Sequence, residues 1–310
     1  MGAFASATND IASDGLYLIA LKPKEQSFFV GMRNTFYRVG MVTGSGLFVM
    51  LAGFLEKKFG DPANAWSWTM VSVAFLMLTL TGINYLKTPN VLEKREPKTA
   101  QPSFKDVFGS FFSKKNILLS LSFVLLYRLG ESQLVKMASP FFLDERADGG
   151  LGLSTTEVGF IYGTLGVIAL LMGGIVGGIL ISRDGLGKWM MPMVFAINAP
   201  NIGYVFLSWL QPENVYFAAS VVFIEQLGYG FGFAAFMVFL IFLADGIYKT
   251  AHYALATGFM AMGMMVPGII SGYMQEWLGY PGFFVWVVIA TIPGFFIAYT
   301  VKYPLDFGKK

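Results

Sequence analysis

The sequence predicts an all-α polytopic membrane protein with nine transmembrane helices, and three observations carry that expectation. Of 310 residues, 55% are hydrophobic and only 13% charged, against about a quarter charged in soluble domains. The apolar residues come in blocks of about twenty, the length that crosses a bilayer's hydrocarbon core. Lys and Arg are concentrated in alternate intervals between those blocks, as cytoplasmic loops require. The same composition sets aside an ordinary cytosolic enzyme. With no cysteine, disulfide frameworks, thiolate metal sites and Cys nucleophiles are excluded. A net charge of +3 spread over short loops does not suit a nucleic-acid binder, so the expected surroundings are lipid and no nucleic acid.

The apolar runs bounded by charge or by Pro and Gly are 3–21, 34–55, 66–86, 116–143, 157–182, 189–210, 215–243, 251–273 and 283–301. One set of loops holds seventeen of the 22 Lys and Arg residues, the opposite set holds Lys57, Lys58 and Arg146, and Arg128 and Lys136 lie within the fourth run. The excess marks the cytoplasmic side. It therefore predicts a cytoplasmic C-terminus and, with an odd number of spans, Met1 outside. The first run opens without a charged region, a cleavage site or an interfacial anchor, so it reads as a span preceded by further sequence and not as a signal peptide. Residues 89–115 are polar, carry Pro89, Pro97 and Pro102, and read as a cytoplasmic linker. They separate residues 1–88, a three-span bundle, from residues 116–310, a six-span bundle.

Within the runs, glycines four apart (Gly40 and Gly44, Gly159 and Gly163, Gly173 and Gly177, Gly174 and Gly178) offer close helix approach, which in lipid replaces apolar burial as the source of association. Pro192, Pro200, Pro267 and Pro293 would bend their helices.

Ionisable groups inside the runs are few and periodic: Asp10 and Asp14 in the first, Arg128, Glu131 and Lys136 in the fourth, Glu225 with Gln226 in the seventh. Each costs roughly 2.5–3.5 kcal/mol to insert on translocon scales, so each needs a partner, water or a role. Charge in every third helix is the arrangement expected when those helices line one aqueous path. Asp10 and Asp14 share one helical face, as do Arg128 and Glu131. Two readings stand: a proton-coupling relay of acids tuned by a nearby cation, or a static ion-pair network joining bundles. The run after Gln226, Gly228-Tyr229-Gly230-Phe231-Gly232-Phe233, is open in the same way. Glu225, Gln226 and Tyr229 form a polar patch for a hydroxyl- or amide-rich ligand, or the glycines serve close packing with Phe toward lipid. His252 is the one histidine and sits at a helix start. No pair of histidines, Walker loop or cysteine supports catalysis or a metal site.

Four stretches resemble the AmpG-type muropeptide permeases of the major facilitator superfamily and their acetyl-CoA-transporter relatives. They are Ser6-Ala7-Thr8-Asn9-Asp10-Ile11 followed by Asp14, Tyr127-Arg128-Leu129-Gly130-Glu131, the run from Glu225 through Gly232 to Ala234-Ala235-Phe236, and Ala251-His252-Tyr253-Ala254-Leu255. Residues 178–188 are similar to a degenerate form of the superfamily's loop motif. The resemblance implies a major facilitator fold in which the nine spans match family helices four to twelve, without the first three. It implies proton-coupled import of a muropeptide or related sugar-peptide by alternating access, with no prosthetic group. Asp10, Asp14, Arg128, Glu131 and Glu225 are then the transport and coupling residues, and Tyr127, Lys136, Gln226 and Tyr229 the substrate contacts. Arg128 and Glu131 stand where the family pattern has Lys and Asp, and Lys136 adds a cation suited to a substrate carboxylate. Another solute, such as an acyl-CoA or oligosaccharide, and a truncated membrane protein that does not transport remain alternatives.

Overall fold

The computed structural model describes residues 2–42, 47–88 and 103–309, which hold helices and turns and no strand. Two compact units divide the chain: Met1–Asn34 with Thr99–Lys310, and Thr35–Lys98. The helices in order are α1 (Gly2–Ala20), α2 (Pro23–Val42), α3 (Phe48–Phe59), α4 (Pro62–Lys87), α5 (Phe104–Phe112), α6 (Ile117–Leu126), α7 (Leu129–Leu143), α8 (Thr155–Phe160), α9 (Val167–Asp184), α10 (Leu186–Asn198), α11 (Ile202–Leu210), α12 (Val215–Ala244) and α13 (Lys249–Thr300).

Six stretches among the described residues are long and apolar enough to cross a membrane: Pro62–Lys87, Ile117–Leu143, Thr155–Asp184, Leu186–Leu210, Val215–Ala244 and Lys249–Thr300. The last has 52 residues, more than twice what one crossing needs. Gly279 leaves helical geometry at φ 64°, ψ 171°. It divides α13 between the expected runs 251–273 and 283–301.

The chain departs from the expected boundaries near its start. Residues 22–33 read as a charged loop, yet 23–33 belong to α2. Pro23 occupies the first turn, where no amide partner is needed. The Glu25 carboxylate accepts the Lys22 N–H at 2.8 Å, and Lys and Arg are themselves good helix formers. The expected run 34–55 falls across the end of α2, residues 43–46 outside the described set, and α3. In the smaller unit, α3 and α4 form a hairpin turned by Gly60 at φ 68°, and Asp61 caps α4 by accepting the Ala63 N–H at 3.0 Å.

Residues 89–102 of the expected linker lie outside the described residues. Its end is helical. Ser103 and Asp106 cap α5 reciprocally, and Phe111 is buried with its ring 5.4 Å from that of His252. Beyond it the Lys114 ammonium donates to the Asp245 carbonyl at 2.6 Å. Partial burial holds this lysine below its ordinary range, opposed by the nearby Asp245 charge.

Helix α12 is the axis of the larger unit, with α9 and α10 packed along it. Glycine makes this possible. A Cβ at Gly230 would meet the Leu170 carbonyl of α9, and one at Gly232 would lie 2.6 Å from the Met193 carbonyl of α10. Gly173 and Gly177 make the reciprocal approach from α9. By contrast, among the described residues nothing lies within 4 Å of a Cβ at Gly159 or Gly163. Equal spacing therefore serves packing in one pair and not in the other. Pro192, Pro267 and Pro293 lie inside helices, and Pro200 sits in the turn joining α10 to α11.

Candidate functional site

Helix α6 stops at Leu126 and α7 starts at Leu129, so the stretch Ile117–Leu143 breaks at Tyr127-Arg128, where Arg128 has φ −111°, ψ 19°. The break is held by close packing, since a Cβ on Gly130 would lie 2.5 Å from Thr291 Cγ2 and 2.9 Å from the Val287 carbonyl of α13. It leaves Arg128 pointing toward α12. Its Nε donates to Glu131 Oε2 at 3.0 Å and its Nη2 to the Tyr229 hydroxyl at 2.7 Å. The guanidinium also lies over two rings, 5.2 Å from the Tyr229 centroid and 4.9 Å from that of Phe233. Arg128 is 6% exposed and Glu131 2%. Such charge-assisted bonds and ring contacts are what a desolvated guanidinium requires.

The Gly/aromatic run of α12 thus serves two purposes. Its glycines admit α9 and α10, while Tyr229 and Phe233 cover the Arg128 cation. Tyr127 donates its hydroxyl to the Gly232 carbonyl at 2.8 Å and stacks on Phe236 with ring centroids 5.0 Å apart. Lys136 is exposed, its stem running beside Gly268 of α13.

One turn before Tyr229, Glu225 is 3% exposed. The Gln226 amide donates to both of its oxygens, at 3.2 and 2.9 Å. The Tyr204 hydroxyl of α11 stands 3.5 Å from Glu225 Oε2, and Tyr162 meets Tyr204 hydroxyl to hydroxyl at 2.7 Å. Tyr162 lies in a π-helical turn, Ile161–Gly166, between α8 and α9. Wide turns of this kind recur at functional sites.

Asp14 and Asp10 separate in the structure. Asp14 is buried on α1 and forms an ion pair with Arg33 of α2, whose guanidinium lies 5.3 Å from the Tyr17 ring centroid. Asp10 is exposed. Sequence reasoning missed Arg33, counted as a loop charge, and also Tyr162 and Tyr204. The only available signal for the tyrosines was a phenol inside an otherwise apolar run. Among the described residues no three His, Cys, Asp or Glu side chains gather as metal ligands. An apolar cavity of 590 Å³ between α9, α10 and α12, lined by Met172, Phe195, Pro200, Ile224 and Phe231, offers nothing to a polar solute.

Residues 1–272 match the Major Facilitator Superfamily. The chain belongs to that superfamily. Its relatives include the anhydromuropeptide permease of Escherichia coli K12, 28% identical over 307 residues that make up 99% of this chain and 60% of that protein. The putative transporter AmpG 4 of Rickettsia conorii is 27% identical over 300 residues, 95% of this chain and 69% of the relative. An uncharacterized protein of Haemophilus influenzae is 25% identical over 310 residues, 94% and 68% respectively. The resemblance to AmpG-type permeases read from the four motifs agrees with these matches, and the chain spans about 60% of the length of the E. coli relative. The superfamily is one of membrane transporters, so this chain stands with permeases and not with enzymes.

Proposed function

We propose that this chain acts in a secondary permease that carries a muropeptide or related sugar-peptide inward with protons. The work is done by alternating access of two bundles in the inner membrane, with the C-terminus cytoplasmic and nine helices crossing. The observation that carries the reading is the buried Arg128–Glu131–Tyr229 group at a broken helix. Broken membrane helices place charge at mid-membrane where a solute can meet it. An ion pair removed from water is a poor source of stability, which favours function for it. The E. coli relative's name supplies the solute class, and the polar groups Gln226, Tyr229 and Lys136 suit its amides, hydroxyls and carboxylates. Asp10, Asp14, Glu131 and Glu225 are the acids available for coupling.

The experiment is uptake of labelled anhydromuropeptide into vesicles containing this chain, with and without an inward proton gradient, against an acyl-CoA and an oligosaccharide as competitors. Gradient-dependent accumulation, blocked by excess unlabelled anhydromuropeptide and by neither competitor, is expected. Accumulation that only one of the other solutes blocks would replace the substrate class. Accumulation indifferent to the gradient would remove proton coupling.

A further inference from the structure

We propose that Tyr162 and Tyr204 relay protons to Glu225 from one face of the membrane-spanning unit. The inference rests on the reading that Glu225 takes part in proton coupling, and it adds a route and two residues to it.

The face is defined by turns that meet. Arg146 donates to the Gln211 and Pro212 carbonyls at 2.6 and 2.9 Å, which joins the turn between α7 and α8 to the turn between α11 and α12. From that face, at 1.5 Å rise per residue, Tyr162 lies about 10 Å along from Thr155, Tyr204 about 9 Å in from Leu210, and Glu225 about 15 Å in from Val215. Exposure drops at the first step of the series. Tyr162 is half-buried, Tyr204 fully buried and Glu225 3% exposed. The rim of the face is acidic, with Asp144, Glu145, Asp148, Glu157 and Glu213 all exposed, a field that raises the local concentration of protons.

The two oxygen-to-oxygen steps are 2.7 Å and 3.5 Å. The longer one closes with a small side-chain rotation, as resting-state contacts for proton transfer often do. In a concerted shift, Tyr204 gives its proton to a Glu225 oxygen as it takes one from Tyr162, and Tyr162 takes one from a hydronium ion entering from the rim, which is left as water. Each hydroxyl breaks one O–H bond and forms another, so neither is left ionised and the net change is one proton gained by Glu225. Gln226 holds both carboxylate oxygens in place throughout. Among the described residues, Tyr204 and, through it, Tyr162 face Glu225 from neighbouring elements, and Tyr229, in contact with Arg128, lies one turn farther along α12. Tyrosine supplies a relay here that a water chain would otherwise have to supply between apolar walls. Phe142 flanks both rings, at 5.7 and 5.9 Å between centroids.

The test is infrared difference spectroscopy on the reconstituted chain, following the carbonyl stretch of a protonated carboxyl group and its exchange on transfer to D2O. Wild type is compared with Glu225→Gln, Tyr204→Phe, Tyr162→Phe and, as a control, the exposed Tyr299→Phe. Expected is a pH-titrating band absent only from Glu225→Gln, whose exchange slows by about tenfold or more in both relay variants and is unchanged in the control. Phenylalanine keeps the ring packing, and thermal melting checks that the fold persists. A Glu225 band that exchanges at the wild-type rate in both Tyr162→Phe and Tyr204→Phe overturns the relay while leaving proton coupling at Glu225 standing. If no titrating band disappears in Glu225→Gln, both the relay and the coupling role of Glu225 fall.

Discussion

Arg128 and Asp14 both lie in helices that read as membrane spans, and each meets an opposite charge, yet the two pairs are built differently. Arg128 finds Glu131 three residues along its own chain, and the group is closed by Tyr229 and Phe233 from α12. Asp14 finds Arg33 on the next helix, and the Arg33 side chain stays 31% exposed. The first pair is almost fully desolvated, with every neighbour set by packing. The second is a clasp between α1 and α2 whose cation is only partly buried. The contrast teaches that charge inside an apolar run does not define one kind of site. Desolvation decides how much each partner depends on the other.

Three measurements test that contrast. The largest effect is expected from Arg128→Ala, which leaves Glu131 buried without its cation. Loss of one partner of a buried pair costs about 3–5 kcal/mol, so uptake should vanish and the melting temperature should fall, while membrane insertion persists. Arg128→Lys should recover only part of this, since an ammonium cannot reach Glu131 and Tyr229 with a planar fork. Wild-type uptake by Arg128→Ala would reduce the group to decoration.

A smaller effect is expected at the clasp. A double-mutant cycle on Asp14→Asn and Arg33→Gln, read by melting in detergent, should give a coupling of about 1 kcal/mol or less, because solvent screens a partly exposed pair. The same cycle on Arg128 and Glu131 should give several times more. Equal couplings would remove the distinction drawn here.

The smallest effect is expected at Lys136, whose side chain is exposed and whose stem only passes Gly268. Lys136→Ala should leave melting unchanged. If the lysine meets a substrate carboxylate, this variant should raise KM about tenfold for a carboxylate-bearing solute and leave an amidated analogue unaffected, the loss expected for one charge-assisted bond. No change for either solute would take Lys136 out of the substrate contacts.

The chain's amino-acid order was enough to show an all-α membrane protein, because apolar block length and scarcity of charge are local properties that lipid imposes on any spanning helix. It set Arg128 and Glu131 on one face but left Glu131, Asp10 and Asp14 open as partners for the cation, and the folded chain pairs it with Glu131. The AmpG-type motifs led to a superfamily that the match over residues 1–272 bears out. Tertiary structure decided the rest. Arg33 looked like a loop charge because it falls in the same interval between apolar runs as Lys22, Pro23 and Lys24, and only the folded hairpin turns it toward Asp14. Tyr162 and Tyr204 are 42 residues apart in sequence, and nothing in either run announces that their hydroxyls meet beside Glu225. Likewise Gly173 packs against α12 while Gly159 and Gly163 face no neighbour among the described residues. The spacing within a helix is written in its own sequence. The identity of the surface it meets depends on every other helix in the bundle.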